Sequence, residues 1–165
     1  MLKLDTPQKL FTQRLGAALT MEHTVVKMLG ELEKKAGHED LKSLFRHHAE
    51  ETEQQISNIG RAFAALDEEA DRKPCPAIKA LHVEGKANIE LAQGDLVDDV
   101  VLAAAGETEH HEIAVYEELI TFADAMDRGD VAALLRENLE QEQHTLEEVR
   151  AASERLSQQL ATHTA

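Results

Sequence analysis

Tryptophan is absent and tyrosine occurs once, so aromatic residues make up only 3% of this 165-residue chain. Its core must therefore be built from Leu, Ala, Val and Ile, side chains that pack well between helices. Three prolines and eight glycines leave long stretches free of the residues that break helices. The single cysteine, Cys75, excludes an internal disulfide and reads as a loop thiol. Positive charge is also scarce, with 17 Lys and Arg against 32 Asp and Glu, for a formal charge of -15. Such a chain lacks the Lys/Arg footprint that supplies phosphate affinity, so neither nucleic acid nor an anionic membrane is an expected partner. No run approaches the roughly 18 apolar residues of a membrane span, and the stretch from Met1 to Pro7 has no apolar signal-peptide core. A cytoplasmic protein is expected.

What is present is apolar periodicity. Hydrophobic residues, 42% of the chain, recur at helical spacing over four long segments, and no stretch alternates with the period of two expected of a strand. The expected fold is all-α and forms a single domain over residues 1–165, with its core at about 7–157. The first helix is expected from Pro7 to Lys35, closed by Gly37 in a left-handed turn, and the second from Asp40 to about Ala70. The cluster Asp71-Arg72-Lys73-Pro74-Cys75-Pro76 is a break, followed by a shorter helix to about Gln93. A long helix then ends near Asp127-Arg128-Gly129-Asp130, and the last fills the remainder up to a fraying tail, Ala161 to Ala165. Short loops join the first pair and the last pair, whereas about 25 residues carrying an extra helix separate the pairs. That spacing allows the second and third long helices to run parallel, as in a ferritin-like four-helix bundle with a long crossover.

Placed on a helical wheel, each long helix carries a carboxylate where an aliphatic residue belongs. Glu22 falls at the centre of the stripe Phe11, Leu15, Ala18, Val26 and Leu29. On the second helix, whose stripe includes Leu41, Phe45, Thr52, Ile59 and Phe63, His48 lies about 40° from the middle and Glu51 near the margin. Glu109 is central among Leu102, Ala105, Ile113, Tyr116 and Ile120, with Glu112 about 60° to one side. Glu142 is central among Val131, Leu135, Asn138, Leu146 and Val149. Measured from Gly37, Glu22 and Glu51 fall at one depth; measured from Gly129, Glu112 and Glu142 match less closely and Glu109 lies a further turn away.

An unpaired ionised carboxylate inside a protein costs several kcal/mol, so converging carboxylates call for compensation. Two divalent cations against Glu22, Glu51, Glu109, Glu112 and Glu142 would leave a charge of about -1 with His48 neutral. Oxygen-rich ligands with one imidazole favour iron or manganese over zinc. Any one of these glutamates alone is more often a protonated or hydrogen-bonded core residue. Tyr116 is expected in the core, its hydroxyl within reach of a ligand carboxylate. His47, His110, His111 and His144 read as an outer, solvated face.

Two segments carry a resemblance. Glu109-His110-His111-Glu112-Ile113-Ala114-Val115-Tyr116 is similar to the Glu-His-Tyr-Glu-Ile-Ala-x-Tyr of the YciE/YciF-like family of bacterial ferritin-like stress proteins, and His48-Ala49-Glu50-Glu51-Thr52 resembles its His-Leu-Glu-Glu-Thr. The resemblance runs from about Phe11 to Arg150. It implies a ferritin-like bundle, a dinuclear metal centre, frequent dimerisation and a stress-response setting. The chain departs from the family pattern at Thr20-Met21-Glu22, where Asp-Ala-Glu is usual, and at Gln141-Glu142-Gln143, where Glu-Glu-Lys is usual.

The function expected from these residues is that of a stress-response metalloprotein, its iron or manganese pair meeting a small oxidant such as dioxygen or peroxide. The ligands would be Glu22, His48, Glu51, Glu109, Glu112 and Glu142. No side-chain nucleophile or phosphate loop competes with metal redox chemistry. The alternative is a non-enzymatic interaction or metal-sequestering protein whose polar core is vestigial. A homodimer is expected, formed over apolar surface left around Ile78, Leu81 and Ile89 of the crossover helix.

Overall fold

The computed structural model describes residues 3–163, and side chains as far as Gln158. Among these residues the chain is all helix: α1 (Pro7–Lys35), α2 (Glu39–Ala65), α3 (Pro76–Leu91), α4 (Leu96–Ala125) and α5 (Gly129–His163). Of the tail expected to fray, Ala161 to His163 are helical, while Thr164 and Ala165 lie outside the described residues. No described helix is long and apolar enough to cross a membrane.

The helix ends explain where the expected boundaries hold and where they shift. Thr6 caps α1 by accepting from the Lys9 amide at 3.2 Å, and Pro7 occupies the first turn, where its missing N–H costs nothing. α2 stops at Ala65, five residues before the expected Ala70. The cause is Asp67, held at φ 55, which lets the Glu68 amide reach back to the Phe63 carbonyl at 3.1 Å. Asp127, at φ 56, closes α4 the same way, with Arg128 N bonding Ala123 O at 2.9 Å. Gly37 is not left-handed, contrary to expectation. The close approach there is to Asp98 of α4, whose carboxylate accepts from the amides of Gly37 (2.7 Å) and His38 (3.2 Å) and so caps the start of α2 from another helix.

Contacts at both ends fix the helix directions. Arg14 near the start of α1 pairs with Glu118 near the end of α4, while Gly37 after α1 meets Asp98 at the start of α4. Likewise Arg155 late in α5 pairs with Asp40 of α2, and Arg128 before α5 donates to the carbonyl of Ala65. Hence α1/α4 and α2/α5 are antiparallel neighbours, α1/α2 and α4/α5 are hairpins, and α2 and α4 lie parallel across a diagonal. This is the ferritin-like bundle.

The crossover is anchored at Gly16, whose carbonyl accepts from Lys73 N at 2.9 Å; a Cβ there would stand 2.4 Å from the Asp71 carbonyl oxygen. α3 then packs on α1 and α4. Ile78 and Ile89 point into that contact and are buried, with Leu81 half-buried, so they are not the free apolar surface expected for a dimer. Among the described residues the exposed large apolar side chains are Leu4, Val83, Leu91 and Leu96.

Candidate metal centre

Between the four long helices the core turns polar. His48 on α2, Glu109 and Glu112 on α4 and Glu142 on α5 are buried, and one ligand atom from each lies within 4.8 Å of all the others. Their meeting follows from the hairpin geometry. The middle of the α4–α5 turn is Asp127, not Gly129, and counted from there Glu112 and Glu142 are each 15 residues away. Glu109, one turn deeper than Glu112, is drawn in by His48, whose Nε2 stands 3.3 Å from Glu109 Oε1 and 3.6 Å from Glu142 Oε2. These are ion-pair distances without hydrogen-bond alignment, since His48 Nε2 has no hydrogen-bond partner.

Glu22 and Glu51 flank this cluster on different sides. Glu22, fully buried on α1, accepts a hydrogen bond from the Tyr116 hydroxyl, and its carboxyl lies beside that of Glu112. Glu51 sits on the opposite edge of the imidazole, its Oε2 3.3 Å from His48 Nδ1, and its side chain keeps 18% of its exposure. Thr145 Oγ1 of α5 lies 3.0 Å from the same Nδ1, and Thr52 of α2 donates to the His48 carbonyl at 2.8 Å. A carboxylate on Nδ1 orients the ring so that Nε2 faces the three glutamates, the outer-shell pattern by which proteins aim a ligating histidine.

Three further polar residues are buried there that the wheel did not single out: Gln55, Asn58 and Thr145. Of these, Asn58 joins Asn138 in a directed chain of donors. Arg61 donates to Asn58 Oδ1 (3.0 Å), Asn58 to Asn138 Oδ1 (2.8 Å), Asn138 to the Tyr116 oxygen (3.0 Å), and Tyr116 to Glu22. The signal was in the sequence, because His48, Thr52, Gln55 and Ile59 follow the i, i+4, i+7, i+11 spacing of one helix seam.

Burial sets the electrostatics. Desolvation pushes the Glu22 carboxyl up to about 7, against the opposing hydrogen bonds from Tyr116 and Glu112. Glu112 and Glu142 are raised well above the usual carboxylate range, first by burial. Like charges on Glu142, Glu22 and Glu109 then raise Glu112 further. Glu142 is partly relieved by His48. Burial pulls His48 down, but the pull of Glu109, Glu51 and Glu142 outweighs it and leaves the imidazole well above its ordinary value. Glu51 is lowered, chiefly by its bond to His48.

The donor set passes the test for a cation. Seven buried ligand atoms have no hydrogen-bond partner: Glu22 Oε2, His48 Nε2, Glu109 Oε2 and both carboxylate oxygens of Glu112 and of Glu142. Ionised carboxylates only accept, so the Glu22–Glu112 and Glu109–Glu142 approaches can be satisfied in two ways: a proton held between them or a cation shared by them.

Comparison with known proteins supplies the family and repeats the fold. The chain is 32% identical over 146 residues to Protein YciF of Escherichia coli (strain K12), covering 87% of this chain and 88% of that protein. The crystal structure of the E. coli stress protein YciF superposes with a TM-score of 0.89 at 26% identity, over 94% of this chain and 99% of the other. The solved structure of YcfI from Rhodopseudomonas palustris superposes with a TM-score of 0.88 at 27% identity, over 91% of this chain and 98% of the other. A protein of Xanthomonas campestris shares the fold at 0.74 and 22% identity, over 96% and 97%. Residues 6–162 match the family described as "Domain of unknown function (DUF892)", and the chain belongs to that YciF-like family.

Proposed function

We propose that this protein is a stress-response metalloprotein whose bundle core holds up to two iron or manganese ions. The observation that carries the reading is the set of four buried side chains, His48, Glu109, Glu112 and Glu142, with ligand atoms within 4.8 Å of one another. Those four would hold one ion, and Glu22 with Glu112 would supply a second position beside it. Glu51 completes the set on the far edge of His48, where it fixes the ring and neutralises charge. Three carboxylates and an imidazole suit a divalent iron or manganese ion. Such a metal, when bound, supplies redox chemistry toward dioxygen or peroxide. The chain's own residues exclude water, orient His48 through Glu51, and hold Glu22 by the Tyr116 hydroxyl. The relative named as a stress protein supports the physiological setting.

A second reading, a vestigial polar core in a non-enzymatic interaction or metal-sequestering protein, is favoured by the ion pairs His48 makes with Glu109 and Glu142, which already offset part of the buried charge. Elemental analysis after anaerobic reconstitution with Fe2+ or Mn2+ separates the two. The metal reading expects one to two ions per chain, a melting temperature lowered by chelator, and loss of that shift in Glu22→Ala. No bound metal and an unchanged melting temperature would remove the metal reading and leave a non-enzymatic interaction protein with a vestigial polar core.

The protein is further proposed to form a homodimer through the apolar groove between α3 and α4, where Leu91, Leu96, Val100 and Ala103 line the wall and Leu91 is 80% exposed. Sedimentation at tens of micromolar, at low and high salt, should show a dimer that Leu91→Asp dissociates. A wild-type monomer in both salts would refute it.

A further inference from the structure

The proposed centre is closed to solvent. His48, Glu109 and Glu142 keep no more than 2% of their side-chain exposure, and Glu22 and Glu112 keep none. An ion must reach them past some element, and Glu51, in the seam between α2 and α5, both touches the cluster and reaches the surface. One oxygen of Glu51 faces His48 Nδ1, while the other lies 3.6 Å from Nε2 of His47, an exposed histidine one turn earlier on α2. Across the seam on α5, exposed His144 stands 4.0 Å from Glu148, one turn along, and directly precedes Thr145, which meets the same His48 Nδ1 that Glu51 faces. Each helix thus presents a His and a Glu at i, i+4 to the same stretch of surface, and Glu51 joins that surface group to the buried imidazole. Thr145, the next residue after His144, completes the link on the inner side through His48 Nδ1.

We infer that His47, Glu51, His144 and Glu148 form the uptake station through which a divalent transition-metal ion enters the core, passing between α2 and α5 at Glu51 to the cluster behind His48. The inference rests on the metal reading above and adds the route. Imidazoles at the mouth select iron, manganese and their neighbours over magnesium and calcium, which prefer all-oxygen sites. The net charge of -15 and the exposed carboxylates Glu50 and Glu147 nearby concentrate cations at that surface. The opposite seam, between α1 and α4, places Arg14 against Glu118 and near His111, so a fixed cation stands there.

A transit site changes rates in both directions and leaves the equilibrium alone, whereas a ligand changes occupancy. Uptake of Mn2+ by ion-free full-length protein can be followed by rapid mixing and loss of the free-ion electron paramagnetic resonance signal, and release by challenge with excess chelator. In the double variant His47→Ala/His144→Ala, uptake and release should both slow by about tenfold, with final occupancy equal to wild type. His23→Ala, an exposed histidine on α1, should change neither rate. Wild-type rates in the double variant would overturn the route while leaving the metal centre standing. Reduced final occupancy would overturn it too, because His47 or His144 would then be holding the resident ion. A wild-type protein that takes up no Mn2+ would remove the metal reading and the route together.

Discussion

Tyr116 of α4 donates its hydroxyl proton to Glu22 of α1, and both side chains are wholly buried. The hydroxyl is itself polarised, since Asn138 donates to its oxygen at 3.0 Å. Every donor from Arg61 inward therefore points toward one carboxylate, which favours its ionised form and prepares it to bind a cation. Tyr116→Phe keeps the ring's volume and removes that donor. The ion-free variant should lose about 1–3 kcal/mol, the usual cost of stranding a buried polar group, and Mn2+ binding should require a higher pH than in wild type. Chelated thermal melts and a pH series of Mn2+ titrations would check both. An unchanged melting temperature would make Tyr116 a space-filling ring only.

The ion-free protein should grow less stable as pH rises from about 4.5 to 7 and beyond. Glu22 has its pKa raised from 4.5 to about 7 by burial, and Glu112 and Glu142 are raised as well. A carboxyl whose folded pKa is raised contributes stability that is full below its unfolded pKa and is lost as pH climbs through the folded value. His48, raised above 6.5, has the same sign over its own range. Metal binding runs the other way, because the ligands must lose their protons first. Melting temperatures with chelator should fall between pH 5 and 8, while the gain from Mn2+ should increase over the same interval. Glu22→Gln should flatten the chelated curve, which separates the site from general repulsion at -15. A flat chelated wild-type curve would contradict the assigned shifts.

The sequence showed the helices well because their apolar residues repeat at 3.6, and it showed Glu22, Glu109 and Glu142 because they sit mid-stripe. It placed Glu112 at the side of its stripe, yet the residue is fully buried: each long helix touches two neighbours in the square, so the buried arc is wider than a single stripe. Periodicity could not find the end of α2, since Leu66 still falls in phase and the stop depends on Asp67 adopting a positive φ. Nor could it find Asp98 capping Gly37, a contact across 61 residues. The two edges of His48, one toward Glu51 and one toward Glu109, likewise exist only in three dimensions.

Two glycines of α1 should respond to alanine with opposite signs. Gly30 has open space where a Cβ would go. Gly30→Ala should therefore stabilise by up to about 1 kcal/mol, the helix-propensity difference. At Gly16 the new methyl would meet the Asp71 carbonyl oxygen at 2.4 Å and Lys73 Cγ at 2.7 Å. The first is backbone and cannot turn aside, so the crossover must lift and its bond from Lys73 N to Gly16 O must stretch. Gly16→Ala should cost about 1–3 kcal/mol despite the better propensity. Paired urea melts would show it; equal shifts at the two positions would mean that the crossover is not anchored at Gly16.

Glu109 and Glu112 lie one turn apart on α4 and should behave oppositely without metal. Glu112 stands among three other carboxylates, and Glu142, Glu22 and Glu109 all oppose its ionisation. Glu112→Gln removes a buried like charge and should stabilise ion-free protein by about 1 kcal/mol or more. Glu109 is the nearest carboxylate to His48 Nε2, at 3.3 Å, and the first of those that hold the imidazole charged. Glu109→Gln therefore leaves a buried cation short of its partner and should destabilise ion-free protein by up to about 3 kcal/mol. With metal the two converge, because each substitution removes a ligand and should shrink or abolish the stability gained from Mn2+. Melts of both variants with chelator and with Mn2+ give four numbers. Opposite signs without metal and a common loss with it are expected. If Glu112→Gln keeps the full wild-type gain from Mn2+, the ion does not lie between these helices, and the buried glutamates belong to a polar core without metal.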